Sequence, residues 1–234
     1  MKYGNLVQGV LDRKVNRFIA EVFINGVKEP VHIKNTGRLT ELLQPGTEVL
    51  LERGDRPERR TRFSLIAAAK DGRWVNIDSQ APNKLVYEAL LSGRLAEELG
   101  RMTFVKREVT YGASRFDLYF ETDEKMGFIE VKGVTLEQHG LASFPDAPTS
   151  RGTKHVLEMI HAVQAGYIGV ILFVVQMKGC RAFTPYREMD PVFAEALEQA
   201  SLQGVRIMAY DSLMEGESFT LGDPLPIEWH PISV

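Results

Sequence analysis

Through residues 1–80 apolar and polar positions alternate with a period of two, the pattern of half-buried strands. Short alternating runs fall at residues 5–13, 17–24, 28–33, 48–52, 62–69 and 74–78. Asn25-Gly26 separates two of them, and this pair accepts the positive φ angles of a tight hairpin turn. Five or six short strands in this order predict a small closed barrel. Helical spacing is confined here to residues 39–43, ahead of Pro45-Gly46. At residues 78–83 (DSQAPN) turn formers replace the strand pattern, which divides the chain into a domain at residues 1–80 and a second at 81–234.

In the second part the period changes. Leu85, Val86, Ala89 and Leu90 share one helical face after the helix-start sequence Ala81-Pro82-Asn83. The segment SRFDLYFE at 114–121 reads as an aromatic-rich strand. A polar turn at 122–127 follows it, and alternation resumes from Ile129, predicting a hairpin. Residues 152–166 form an amphipathic helical pattern with Val156, Leu157, Ile160 and Val163. Residues 168–175 are an unbroken apolar run ending at Gln176, as expected of a strand buried on both faces. Helix, hairpin, helix and strand in that order imply a mixed α/β sheet. Residues 191–200 predict a further helix with Val192, Phe193, Ala196 and Leu197 on one face, and 205–210 a final strand. Residues 215–234 predict a strand-like tail anchored by Trp229.

The hairpin carries the chemistry. Alternation puts Glu130 and Lys132 on one face, roughly 7 Å apart along the strand, and the hairpin brings Asp117 beside Glu130. Mg²⁺ or Mn²⁺ takes one or two carboxylates plus water and substrate oxygens, which Asp117 and Glu130 can supply. Lys132 on the same face can stabilise developing charge or orient an attacking water at a phosphoryl centre. Glu88, near the apolar stripe of the preceding helix, is the candidate third acid. The alternative is that Glu130 and Lys132 form the solvent face of an edge strand, with Asp117 an ordinary polar residue near a turn. Gln176 either reaches the site or is an exposed strand end. His139 and His161 have no partners at ligand spacing and read as ordinary loop and helix positions.

Charge restricts the partners. The 234-residue chain is 44% apolar with a formal net charge of −3, and its isoelectric point is near 6.0. That balance excludes a general nucleic-acid coating protein, because phosphate binding is driven by Lys and Arg releasing counterions. Nucleic-acid contacts must be local. Arg53, Arg56, Arg59, Arg60 and Arg62 crowd one loop, interleaved with Glu52, Asp55 and Glu58: a solvated turn, or a basic hairpin that tracks phosphates. Arg38, with His32, flanks Asn35-Thr36-Gly37, a loop able to present amide and guanidinium groups. Arg151, Lys154 and His155 open a helix, where backbone N–H groups favour an anion; capping by Thr149 or Ser150 is the simpler reading. Asp146 is a turn residue or a further acid. The single cysteine, Cys180, excludes an internal disulfide, and neither a signal-peptide pattern nor a run of membrane-span length occurs, so a cytoplasmic protein without a membrane partner is expected.

The motifs RFD and EVKG, the segment Val134-Thr135-Leu136, the run FPDAPTSRGTKH at 144–155 and Asn35-Thr36-Gly37-Arg38-Leu39 resemble the sugar fermentation stimulation protein A family along nearly the whole chain. The resemblance implies an N-terminal OB-like β-barrel followed by an α/β nuclease-like domain of the PD-(D/E)xK superfamily. It assigns Glu88 as the helix acid, Asp117 as the first metal acid and Glu130 with Lys132 as the E-x-K pair. Phe116 stands where the superfamily's label has proline. The family is described as DNA-binding, which leaves two functions: a Mg²⁺- or Mn²⁺-dependent nuclease hydrolysing phosphodiesters, or a DNA-binding regulator of sugar (maltose) metabolism without turnover. A carbohydrate enzyme, suggested by the family name alone, is weaker than either.

Overall fold

The computed structural model describes residues 1–35, 37–54 and 61–230. Six strands come first: β1 (Leu6–Lys14), β2 (Ile19–Ile24), β3 (Val27–Ile33), β4 (Glu48–Arg53), β5 (Phe63–Lys70) and β6 (Arg73–Asn76). Asn25 and Gly26 take φ of 50° and 81° at the β2–β3 turn, a conformation that glycine adopts without steric cost. The chain meanders through β1, β2 and β3, and β4 returns to pair with β1. β5 then pairs antiparallel with β4 and parallel with β3, closing a five-stranded barrel, while β6 continues along the rest of β5. Leu11, Val22, Val31, Ile33, Val49, Leu51 and Leu65 point inward, every second residue along each strand. Residues 39–43 make a hydrogen-bonded turn rather than a helix, with the Leu42 and Leu43 N–H groups donating to the Leu39 carbonyl. Leu39, Leu42 and Leu43 join the barrel core.

The second domain begins with α1 (Ala81–Leu91) and α2 (Ala96–Leu99). β7 (Phe104–Tyr111), β8 (Ser114–Glu121) and β9 (Met126–Val134) follow as consecutive antiparallel strands. Next come β10 (Leu136–Gln138), β11 (Leu141–Phe144), α3 (Ser150–Gln164), β12 (Ile168–Val175), β13 (Ala182–Pro185), α4 (Pro191–Leu202), β14 (Arg206–Glu215) and β15 (Ser218–Pro224). The main sheet runs β15-β14-β12-β9-β8-β7 and is parallel only where β12 meets β9 and β14. β12 explains the unbroken apolar run. Ile171, Phe173 and Val175 pack in the cluster that includes α3 and α4, whereas Val170, Leu172 and Val174 pack in the one that includes α1. Both faces are buried, so both registers must be apolar.

Several elements depart from the sequence reading. β7 is mostly exposed and is held by pairing with β8 and by Val105, Val109 and Tyr111, which pack half-buried against the cores. The segment after β9 forms β10 and β11, which join β13 in a small sheet. β14 runs on to Glu215 and is not the last strand, because β15 pairs beside it. Trp229 packs half-buried against the core, as expected of the tail's anchor. Gln176 is no exposed strand end: it is 2% exposed, and its Nε2 donates to Asn76 Oδ1 (2.9 Å) and the Asn76 carbonyl (3.0 Å) of the barrel domain. Buried Glu137 adds a second tie, accepting from Lys70 Nζ (2.9 Å) and Arg73 Nη2 (2.6 Å). Among the described residues no helix is long and apolar enough to cross a membrane.

Candidate active site at the β8–β9 hairpin

Asp117 lies on β8, where the ladder to β9 gives way to its side chain. Oδ2 accepts from the Val131 backbone N–H (2.8 Å), and Oδ1 accepts from Asn83 Nδ2 (2.7 Å) at the first turn of α1. The carboxylate thereby takes over a backbone donor and is fixed by two bonds. Burial pushes its pKa above the ordinary carboxylate value, and the neighbouring Glu130 charge pushes the same way; its hydrogen bonds and Lys132 oppose them only in part.

Glu130 is 3% exposed on central β9. Burial alone would raise its pKa, but a hydrogen bond from His155 and the charge of Lys132 outweigh it and hold the carboxyl below the usual range. Both donors meet one oxygen: His155 Nδ1 lies 2.5 Å from Oε1, and Lys132 Nζ contacts the same atom. A carboxylate only accepts, so Nδ1 carries the proton. The other oxygen, Oε2, is buried without a protein partner among the described residues. A buried anionic oxygen in that state is costly unless a cation or solvent meets it. Gly133 completes the strand end, since a side chain there would meet Gln176 Oε1 at 2.5 Å and Pro82 Cγ at 2.9 Å.

Asp117, Glu130 and Lys132 thus come together, as the alternation predicts. Glu88 does not join them. It is half-exposed on α1, and its Oε2 lies 2.7 Å from the Met1 amino group; Asn83 is the α1 side chain that reaches Asp117. The sequence reading passed over Asn83 and placed His155 only at a helix start. His155 is 7% exposed and shares the buried face of α3 with Val156, Met159 and Ile160, a helical spacing that marks it as inward. Arg151 is exposed, and Lys154 Nζ donates to the Ala113 carbonyl (2.8 Å). Thr149 caps α3 by accepting from the Gly152 N–H (3.0 Å), so the capping alternative holds at that helix end. Arg53 is exposed at the end of β4; Arg56, Arg59 and Arg60 lie outside the described residues. Arg38 lines a cleft between the domains, and Asp146, which also lines it, brings its Oδ2 close to the adjacent Gly37.

Among the described residues no three of His, Cys, Asp and Glu converge at metal-ligating spacing. The protein offers two carboxylates, the number with which Mg²⁺ is ordinarily held when water and substrate oxygens fill the remaining positions. The donor set and the unpartnered Oε2 fit a hard divalent cation.

A closed OB barrel joined to a mixed-sheet α/β domain, with a carboxylate pair and a lysine at the central hairpin, is the class of protein these features define. The family profile described as "Sugar fermentation stimulation protein RE domain" matches residues 80–218, and "SfsA N-terminal OB domain" matches residues 13–77. The chain belongs to the sugar fermentation stimulation protein family. It is 52% identical to the homolog of Alkaliphilus oremlandii, over 98% of this chain and 99% of the relative. To the Clostridium beijerinckii homolog it is 46% identical, over 95% and 97%. The structure of Pyrococcus furiosus SfsA in complex with Ca²⁺ superposes with a TM-score of 0.86 at 31% identity, covering 97% of this chain and 98% of that one.

Proposed function

We propose that this protein is a divalent-metal-dependent phosphodiester hydrolase of the PD-(D/E)xK kind that acts on nucleic acid, DNA in the first instance. The observation that carries the reading is Glu130 Oε2, a buried carboxylate oxygen left open beside a second, desolvated carboxylate. The Ca²⁺ held by the Pyrococcus furiosus relative supports a divalent cation in this family; Mg²⁺ or Mn²⁺ is the form that suits hydrolysis here.

Asp117 and Glu130 Oε2 would hold the cation, which when bound supplies Lewis acidity at a phosphoryl oxygen. Asn83 and the Val131 N–H fix the Asp117 carboxylate, and His155 fixes Glu130 through Oε1, so neither acid must reorganise to bind. Lys132 shares Oε1 and is the ammonium available to offset charge at the phosphorus and to orient an attacking water. Without a cation, two carboxylates would repel a phosphate, which argues against binding as the whole of the function.

The test is cleavage of labelled single-stranded, duplex, flapped and branched DNA, and of RNA, with Mg²⁺, Mn²⁺ or EDTA. Metal-dependent, EDTA-sensitive cleavage that disappears in Asp117→Ala is expected. Tight binding with no cleavage of any substrate would leave the regulator without turnover.

A further inference from the structure

From the nucleic-acid reading of the hairpin site, we infer that the cleft between the barrel and the α/β domain holds one unpaired nucleotide of the substrate strand. The cleft has a volume of about 530 Å³ and begins at Gly133, the residue after Lys132, within about 10 Å of Glu130 along the strand. Its size falls among small-ligand sites, which run to about 1,000 Å³. A double helix, whose major groove alone is about 12 Å across, cannot enter it. A single unstacked nucleotide can.

The walls divide into the two chemistries a nucleotide needs. Arg17 and Arg38 line the barrel side, both exposed, and neither forms an ion pair among the described residues. Lys14 stands with them, donating to the Gly37 and Arg38 carbonyls at 3.1 and 2.7 Å. This is a phosphate-sized cluster of positive charge on a protein whose net charge is −3. Leu39, next to Arg38, is buried at a positive φ of 49°, a conformation costly for a leucine, and its burial pins the loop that carries Arg38.

Opposite lie the half-buried Leu136 and Phe144, an apolar surface for a base backed by buried Val134. Asp146, whose Oδ2 reaches the barrel loop close to Gly37, is an acceptor for ring or exocyclic N–H groups. The side-chain amides in the cleft are already committed. Asn35 donates to the Ile77 carbonyl (2.8 Å) and accepts from the Gly37 N–H (2.6 Å), and Gln176 Nε2 bonds Asn76. Neither amide remains free for bidentate base readout, so recognition depends on strandedness more than on sequence.

Fluorescence anisotropy in EDTA compares a blunt duplex with the same duplex carrying a single-stranded tail. The tailed substrate is expected to bind about tenfold tighter. Arg17→Ala with Arg38→Ala should reduce that preference to within about twofold without altering Mn²⁺ affinity measured by calorimetry, because both arginines are exposed and outside the carboxylate site. Ala147→Trp, which fills the cleft from its exposed rim, should do the same. Equal binding of blunt and tailed duplexes by the wild type, or a preference that survives both variants, overturns the inference. Since the assay needs no turnover, a protein that prefers tails but cleaves nothing refutes the hydrolase and keeps the cleft. Cleavage with no preference for tails does the reverse.

Discussion

The hairpin site and the cleft rim are built in opposite ways. At the hairpin the polar groups are buried or half-buried and placed by a neighbour: Asp117 by Asn83 and Val131, Glu130 by His155 and Lys132. At the rim, Arg17 and Arg38 sit on loops in solvent and are placed only by the backbone that carries them. Rigid, desolvated groups suit bond-breaking, where a small misplacement is expensive, whereas exposed cations suit a flexible phosphate chain. Substitutions at the first should therefore alter rate and metal binding, and at the second affinity and salt dependence.

The largest effect is expected at Lys132. Lys132→Ala should lower kcat/KM for whichever substrate is cleaved by roughly 10²–10³-fold, the scale of losing one preorganised charge donor. Mn²⁺ affinity should stay within a few-fold, because His155 still holds Glu130 Oε1. Single-turnover rates with calorimetric metal titration separate the two; unchanged hydrolysis would remove Lys132 from the mechanism.

His155 should show the complementary pattern. Removing a partner that orients a metal ligand costs about 10–100-fold in metal affinity, so His155→Ala should weaken Ca²⁺ and Mn²⁺ binding on that scale. His155→Asn, whose amide N–H can stand where Nδ1–H stands, should recover part of it. A purely structural role would give two variants equally impaired in metal binding and in melting temperature.

This division also explains what was legible beforehand. Glu130 and Lys132 could be read because strand alternation is a local property, and the β12 run because burial on both faces demands apolar residues throughout. β7 could not, since its mostly exposed residues carry no clear period and its pairing with β8, together with the packing of Val105, Val109 and Tyr111, holds it. Glu88 shows a different limit. Helical spacing tells which residues share a face but not where the helix points. Five residues turn the helix by about 500°, so Glu88 lies roughly 140° round from Asn83, and docking of Pro82 against Gly133 aims Asn83 at the site. His155 was open to a helix-face count, but a role against Glu130 required the β9–α3 packing. Arg17 carries no motif, and only the meeting of the two domains gives it a cleft.

A smaller effect concerns stability and pH. Burial, aided by Glu130, raises the folded-state pKa of Asp117 above the ordinary value. A group shifted this way contributes stability that is fully present below its unfolded pKa and is lost as pH rises through the folded one. In EDTA, the melting temperature of the wild type relative to Asp117→Asn should therefore fall as pH is raised through the acid range towards neutrality. Excess Ca²⁺ should offset the loss at neutral pH, because the cation binds the ionised carboxylate and stabilises the folded state. Calorimetric scans across that range with and without Ca²⁺ decide it, and a wild-type advantage that grows with pH in EDTA would contradict the assigned desolvation.

The smallest effect is expected in the arginine-rich segment between β4 and β5. If Arg56, Arg59 and Arg60 track a phosphate backbone, replacing all three with Ala should weaken binding to every sequence alike. The slope of log affinity against log salt should flatten by up to about 0.9 per lost duplex contact, or about 0.7 for a single strand. Sequence preference and the tail preference assigned to the cleft should barely change, because phosphate contacts carry no base readout and the cleft's own cations are Arg17 and Arg38. Anisotropy titrations over a salt series read all of these at once. An unchanged slope with unchanged affinity would identify the loop as a solvated turn and leave Arg17 and Arg38 to carry the phosphate contacts.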